Sequence, residues 1–337
     1  MLVRPALLRP LPHRGDLIAA GAVPFTLAIV LLNIRMDATW GRGIHLVITA
    51  LACGLVLGMG LLAEREEEHP RAYQTVLLLA GLTLLAIALV RWAQVLGSGH
   101  PLSSSGALTW MTLVFAAVVA VPAWGRIDSP VCALVELLAG GLFLLAFVDW
   151  VFAPDGPTTL RWLLVLLIAV YVAGHLYWRE RKRRHAVHFV NAAGVAAIVL
   201  AVSFLAALLG GGLFILEGTY RPPRTLDPGT WWELVLLAAG VGLVAYAAVD
   251  REPGPGYLGF VVLVLFAVLA GLPGSDGASI VGWPLLLLLA GGAALAAGLR
   301  PSRPLPPAPD AARDPAPTQP LPPRRDDDAT RPLPPEA

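Results

Sequence analysis

The stretch "VCALVELLAGGLFLLAFVDWVF", residues 131–152, decides the fold class of this chain. It is apolar along nearly its whole length, and as a helix it is long enough to cross the roughly 30 Å hydrocarbon core of a bilayer. Its leucine, alanine, valine and glycine follow no alternating pattern, which favours a helix over a strand of a membrane barrel. The stretch therefore predicts a transmembrane helix.

Runs of similar length and composition fill most of the remaining chain. Of the 337 residues, 57% are hydrophobic and 14% are charged, whereas about a quarter of a soluble protein is charged. The further runs are residues 17–34, 44–63, 74–95, 107–124, 160–178, 187–209, 231–249, 257–273 and 279–299. The sequence therefore predicts an all-α, polytopic transmembrane helix bundle of about ten spans over residues 17–299, with the bilayer as its surroundings.

The connections between the runs differ in positive charge. If the N-terminal segment 1–16 and every second connection lie on one side, that side carries 18 of the 24 Lys and Arg residues. An excess of basic residues marks cytoplasmic loops, so both termini are expected in the cytoplasm and the protein in the plasma membrane. Tryptophans near the start of each even-numbered run agree with this orientation, because tryptophan favours the membrane interface.

Three polar residues inside the runs are the candidates for a site. Glu136, His175 and Asn191 lie at similar depth in consecutive runs, so they are expected to meet in one cluster near the inner surface. A functional interpretation makes Glu136 a proton or cation carrier with His175 as its partner. A structural interpretation, which is the simpler one, makes them interhelical hydrogen-bonding residues. His45 and Thr49 form a second pair, more typical of packing residues than of ligands.

Two features point to the way in which the helices are arranged. The connections 63–73 and 249–257 both join two apolar runs, and both contain an acid-Arg-Glu sequence followed by a proline and a tyrosine. This similarity suggests that runs 2–4 and 8–10 are parallel repeats. Repeats are common in transporters, and the alternative is that short cytoplasmic turns share such residues by default. Gly54 and Gly58 form a GxxxG, a spacing at which helices pack closely.

The motifs of common enzymes and metal sites are missing from the sequence. No HExxH, GxSxG, P-loop or metal-spaced Cys/His set is present, so we expect no catalytic residue, no metal and no cofactor, and enzymatic activity is disfavoured. Nucleic-acid binding is disfavoured as well, because no soluble domain organises a basic face. The run "RERKRRH" at 179–185 is expected to set the topology and to meet anionic lipid headgroups, through Arg179, Arg181, Lys182, Arg183 and Arg184.

The C-terminal segment 300–337 has a different composition from the bundle. Residues 301–337 hold 13 prolines, five arginines and six acids, which predicts a disordered, proline-rich tail. A hydroxyl residue precedes the same PLPP core three times, in "SRPLPP", "TQPLPP" and "TRPLPP". Ser302, Thr318 and Thr330 are therefore candidate phosphoacceptors, and a phosphate there would create a site for an arginine-bearing partner. The alternative is low complexity without a role.

Two resemblances follow from these features. In composition and tail style the chain resembles multi-span membrane proteins of actinobacteria, and the hydroxyl positions of its tail resemble acceptor sites of actinobacterial Ser/Thr kinases. In span count it resembles the drug/metabolite transporters, although their two five-span repeats are inverted and the repeat here is parallel. The first hypothesis is therefore an interaction or scaffold protein, regulated through a tail-binding partner. The second is a secondary transporter with its polar site around Glu136.

Overall fold

The regular structure of the chain is helical wherever it is described. The computed structural model describes residues 15–63, 72–154, 156–208 and 229–270. Within these ranges the helices are α1 (Gly15–Arg35), α2 (Arg42–Leu62), α3 (Ala72–Val95), α4 (Ser105–Trp124), α5 (Pro130–Phe152), α6 (Pro157–Trp178), α7 (Arg183–Leu208), α8 (Thr230–Asp250) and α9 (Pro253–Ala270).

These helices confirm the predicted fold class. Each of the nine in the described ranges is long and apolar enough to cross a membrane, and each matches one predicted run. The tenth run, residues 279–299, lies outside the described residues, as do most of the segment 1–16 and the whole tail 300–337. The chain is therefore a polytopic, all-α membrane protein with a span count near ten.

Several helices begin before the apolar run that predicted them. α7 begins at Arg183 rather than residue 187, and α9 begins at Pro253 rather than residue 257. Proline suits the first turn because that turn has no helical acceptor for its missing N–H, so a helix starts on residues that a hydropathy pattern leaves out. The start of α5 shows the same rule, since Pro130 follows Ser129, whose side chain accepts a hydrogen bond from the backbone N–H of Cys132 at 3.4 Å.

The helices follow one another in a regular packing order. Each even-numbered helix packs most extensively on the odd-numbered helix that follows it, so that α2 lies on α3, α4 on α5, α6 on α7 and α8 on α9. The odd-numbered helices also contact one another in the order α1, α3, α5, α7 and α9. α7 is the most enclosed of the described helices. In its 18-residue apolar stretch 67% is buried, against 22% in the corresponding stretches of α6 and α8.

Consecutive helices run in opposite directions, which gives the bundle two faces. The end of α3 meets the start of α4 through Trp92 and Trp110, whose rings are 6.1 Å apart. The starts of α6 and α8 meet on that same face through Trp162 and Trp232, at 5.1 Å. We call this the opposite face, and we call the other, where the odd-numbered helices begin and where the basic loop 179–182 lies, the basic face.

Two hydrophobic clusters make up most of the core. The first is centred on α1, α2 and α3 and reaches the end of α4 and the start of α5. The second is centred on α6, α7, α8 and α9 and includes one side of α5. Trp124 packs against both clusters. The end of α4 therefore marks the junction between the two halves of the bundle.

Glycine allows two helix pairs to approach closely. A Cβ on Gly81 would lie 2.8 Å from the Cα of Leu57, so α3 touches the backbone of α2 at this point. A Cβ on Gly259 would lie 2.8 Å from the Cβ of Leu243, which brings α9 equally close to α8. Among the described residues the predicted GxxxG of α2 does not pack in this way, because none of them has an atom within 4 Å of a Cβ built on Gly54 or Gly58 from across a helix pair.

Candidate functional site

The carboxylate of Glu136 has a specific partner within the bundle. Glu136 lies in the second turn of α5, and its Oε2 accepts a hydrogen bond from the indole Nε1–H of Trp124 at 2.6 Å. The next residue, Leu137, presents its backbone oxygen to the hydroxyl of Tyr171 on α6 at 2.5 Å. Gly141 makes room for that hydroxyl, since a Cβ there would lie 2.6 Å from it. Glu136 is thus held where α4, α5 and α6 meet.

Trp124 connects this carboxylate to the helices of the second cluster. Its ring lies 5.3 Å from the ring of Trp178 at the end of α6 and 4.9 Å from the imidazole of His185 at the start of α7. Phe189, one turn further along α7, is 6.5 Å away. A change in the hydrogen bond to Glu136 would therefore affect the packing of α4, α6 and α7.

A group of charged side chains covers this site on the basic face. Lys182 Nζ and Asp128 Oδ1 are 2.6 Å apart and join the loop after α4 to the loop after α6. The Nε2 of His185 lies 3.1 Å from the backbone oxygen of Ala123 and 3.5 Å from Asp128 Oδ1. Both neighbours are acceptors, so a proton on Nε2 lets the ring donate to them. His185 is buried, whereas Lys182 and Asp128 are partly exposed.

The other two predicted site residues have partners of their own. His175 is buried, its Nδ1 lies 3.0 Å from the backbone oxygen of Ala186, and its ring meets that of Tyr246 edge-on at 5.1 Å. Asn191 is half-buried, and its Oδ1 lies 3.1 Å from the position of a Cβ on Gly254, at the start of α9. That oxygen is enclosed and has no hydrogen-bond partner in the part of the chain that the structure describes.

The structure thus places the three predicted residues in one half of the bundle without joining them. Within the described ranges, the hydrogen bonds of Glu136 and His175 go to other groups, and neither bonds to Asn191. His175 and Glu136 are linked only indirectly, because Ala186, the partner of His175, is the neighbour of His185 in α7. Their joint action as one cluster remains a prediction.

The sequence gives little sign of the surroundings of Glu136. Trp124 is one of ten tryptophans, and His185 ends a run of basic residues. One signal was available for Lys182, which is the chain's single lysine beside 23 arginines. The short contact of Lys182 with Asp128 gives a reason for lysine at this position, because an ammonium is a compact donor that suits a single carboxylate oxygen.

A second polar network lies at the opposite face, around an arginine inside α3. Arg91 donates from Nε to Asn33 Oδ1 at 3.1 Å and from Nη2 to the backbone oxygen of Asn33 at 2.9 Å. Its Nη1 donates to Asp37 Oδ1 at 2.7 Å and to Gln94 Oε1 at 2.9 Å. The guanidinium thus uses most of its donors to tie α3 to the end of α1.

The predicted pair of His45 and Thr49 belongs to this second network. Asn33 donates from Nδ2 to Thr49 Oγ1 at 2.9 Å, and that hydroxyl donates to the backbone oxygen of His45 at 2.7 Å. His45 and Thr49 therefore pack α2 against α1, as a structural interpretation expects. In the loop between those helices, the hydrogen bond and the charge of Arg91 lower the pKa of Asp37 below its ordinary value.

The remaining predictions for sites fall into two groups. Ser302, Thr318 and Thr330 lie outside the described residues. The described residues contain no cluster of three or more His, Cys, Asp or Glu side chains that could hold a metal ion. Cys53 and Cys132 are buried on different helices, and both are free thiols.

Comparisons with known proteins leave the structure as the guide to function. No family model, curated protein or solved structure matches the chain. What the helices establish is that this is a multi-pass membrane protein, and within the described residues Glu136 accepts a hydrogen bond from Trp124.

Proposed function

We propose that the bundle carries out proton- or cation-coupled secondary transport, with Glu136 as the residue that takes up the coupling ion. The observation that carries this proposal is the 2.6 Å hydrogen bond between Trp124 and Glu136 at the junction of the two core clusters. An acidic residue within a span is costly, by about 2.5–3.5 kcal/mol at the helix centre and by less towards the ends, so such residues are rare and tend to be functional.

The contacts of Trp124 supply a way for ion uptake to move helices. An ionised Glu136 accepts a strong, charge-assisted bond from the indole, and that bond weakens when a proton or cation neutralises the carboxylate. Trp124 lies between Trp178 and His185, so its release would loosen the packing of α4 against α6 and α7. Alternating access needs this kind of link between an ion site and the relative position of two halves.

The packing order of the helices also supports a repeated architecture. In the set α1, α2 and α3, the third helix packs on both of the others, and α7, α8 and α9 repeat this pattern. The offset of six helices is the one suggested by the loops 63–73 and 249–257. Substrate sites of transporters often lie where two repeats meet, and Glu136 lies on α5, between these two sets of helices.

Replacing Glu136 with glutamine tests the transport proposal. Glutamine can still accept the hydrogen bond from Trp124, but it cannot take up a proton or balance a cation. In proteoliposomes that contain a pH-sensitive dye, an inward proton gradient with a pool of small polar metabolites outside should change the internal pH. We expect Glu136→Gln to reduce this signal to that of empty liposomes, with an unchanged unfolding temperature.

A conservative variant separates the charge of Glu136 from its packing. Glu136→Asp keeps a titratable group and should retain part of the activity, although the shorter side chain moves away from Trp124. Equal proton and sodium movement by wild-type protein and Glu136→Gln would overturn the proposal, and so would the lack of any ion movement by the wild type over a broad panel of solutes.

A second candidate function is favoured by the threefold hexapeptide of the tail. We propose that residues 301–337 recruit a cytoplasmic partner once Thr318 and Thr330 are phosphorylated, because each phosphate adds about −1.5 to −2 charge for an arginine-bearing reader. Immobilised tail peptides with and without phosphate should capture different proteins from a lysate. Equal capture by both peptides and by a Thr318→Ala, Thr330→Ala peptide would contradict regulated docking.

A further part of the proposed function is the orientation of the protein in the membrane. Both termini are assigned to the cytoplasmic side of the plasma membrane, since 18 of the 24 basic residues lie on that side. Reporter enzymes that are active on only one side of the membrane, fused after residue 337 and before residue 1, should both report the cytoplasm. A periplasmic or extracellular signal from either fusion would contradict the assignment.

A further inference from the structure

The five cations of the basic loop and of the first turn of α7 have different surroundings. Lys182 is paired with Asp128, and Arg181 folds back on Tyr177, with its guanidinium 4.4 Å from the centre of that ring. Arg183 lies 4.0 Å from Asp250, a long ion pair. Three of the five cations predicted to meet lipid are therefore at least partly engaged by the protein itself.

The two remaining cations are free of such contacts with the described residues. Arg179 and Arg184 are exposed, and neither has an ion pair or hydrogen bond from its side chain to any described residue. Arg184 also lies in the first turn of α7, which contains no acidic residue. The N-terminus of a helix carries a partial positive charge, so cations there are unfavourable unless an anion is added from outside.

The loop between α6 and α7 holds these arginines in a defined position. The backbone N–H groups of Arg181 and Lys182 both donate to the backbone oxygen of Trp178, which makes the connection a tight turn. Lys182 anchors the turn to Asp128 on the neighbouring loop. The backbone that carries the two arginines is thus already ordered, and only their side chains remain to be immobilised when a ligand binds.

The depth of the loop decides what such a ligand is. Only four residues separate α6 from α7, and both helices cross the membrane, so Arg179 and Arg184 lie at the level of the lipid headgroups. Tyr177 is exposed at the end of α6, as expected for an aromatic side chain at the membrane interface. Phosphates of the surrounding lipid are the most concentrated anions at this depth.

We propose that Arg179 and Arg184 bind the phosphate of an acidic phospholipid at the basic face, a role that does not depend on transport by Glu136. Arg183 contributes more weakly because Asp250 shares its charge. Glu180, which is exposed in the same loop, opposes binding of an anion and limits the affinity. The arginine forks match the geometry of a phosphate group, and the uncompensated start of α7 adds to the attraction.

Native mass spectrometry of the full chain with added phosphatidylglycerol tests this site. A single positive charge near an anionic surface changes affinity by about fivefold, so we expect about that loss for Arg179→Gln or Arg184→Gln and about thirtyfold for the double variant. Lysine at both positions should restore most of the binding. Arg35→Gln, at an exposed arginine in the last turn of α1 on the opposite face, is the matched control and should change nothing.

The outcomes distinguish lipid from other anions. Full retention of phosphatidylglycerol by the double glutamine variant would overturn the proposal. Displacement of the lipid by millimolar inorganic phosphate would also overturn it, by showing a site for a free anion. The acidic tail is a third possible occupant, and tighter lipid binding after removal of residues 301–337 would show that the tail, rather than lipid, fills the site in the intact protein.

Discussion

Replacing Gly81 with leucine is expected to prevent the first three helices from packing, so that no monodisperse protein is recovered. A Cβ at this position would lie 2.8 Å from both Cα and Cβ of Leu57 and 2.9 Å from its backbone nitrogen. These atoms belong to α2 or are fixed to it, so the clash is relieved only if the two helices separate. That separation would also lengthen the contact from Cys53 Sγ to the backbone oxygen of Gly81, now 3.5 Å.

The smaller change Gly81→Ala shows which effect is stronger. Alanine gains about 1 kcal/mol over glycine from helix propensity, while overpacking a well-packed interior costs about 1–3 kcal/mol. We therefore expect Gly81→Ala to lower the unfolding temperature in detergent despite the better helix former. An unchanged or higher temperature would mean that α2 and α3 are less closely packed than the structure shows.

Gly54 provides a control on the neighbouring helix. It follows Cys53, which contacts Gly81, so the two glycines lie at similar depth. Gly54 is nevertheless exposed, and no other described helix has an atom within 4 Å of its Cβ position. Gly54→Leu should yield folded protein, and Gly54→Ala should be neutral or slightly stabilising. If both leucine variants failed alike, the cause would be leucine in this part of the membrane and not the contact with Leu57.

The span count could be predicted from the sequence because the signal for a span is simple. A bilayer requires length and apolar composition, and nine of the ten predicted runs correspond to described helices. The starts of α7 and α9 were less predictable, because arginine and proline in a first turn carry no hydropathy signal. The charge bias assigns a side to each loop, but it does not say which helices touch.

The sequence predicts Glu136 as the central residue of the candidate site, but it does not predict which residues contact Glu136. Glu136 is conspicuous because it is a charge in an apolar run. Its bond to Trp124 depends on how α4 and α5 are rotated against each other, and helices that are apolar all round give no periodic signal for rotation. The same limit explains why the GxxxG at Gly54 suggested a packing surface that the described structure has at Gly81 instead.

Replacing Arg91 with methionine is expected to destabilise the first three helices strongly, because it removes the side chain that ties α3 to the end of α1. The side chain is only 13% exposed and bonds to both the side chain and the backbone of Asn33. Asn33 is itself 4% exposed, so its freed oxygen would not be reached by bulk water. A buried acceptor without a partner costs about 1–3 kcal/mol, and hydrogen bonds to charged groups contribute about 1.5–3 kcal/mol. The two ranges overlap because they describe the same bonds, so we expect a loss of about 2–4 kcal/mol rather than their sum.

The ion pair with Asp37 should contribute little to that loss, because Asp37 is exposed. Arg91 lowers the pKa of Asp37, so the stabilisation is present above the ordinary value of 3.8 and is lost as the pH falls through the lowered value in the folded protein. Asp37→Asn should therefore change the unfolding temperature only slightly at pH 7. Asp37→Asn should also remove the part of the stability loss at low pH that is caused by protonation of Asp37 in its ion pair with Arg91.

A double variant separates an orphaned acceptor from a general need for arginine. Removing both partners of a buried hydrogen bond is less damaging than removing one, because no polar atom is left without a partner. Asn33→Leu with Arg91→Met should therefore cost less than the sum of the two single changes, measured as unfolding free energies in detergent. Additive losses would show that Asn33 and Arg91 act independently, and that the 3.1 Å bond between them does not hold α1 to α3.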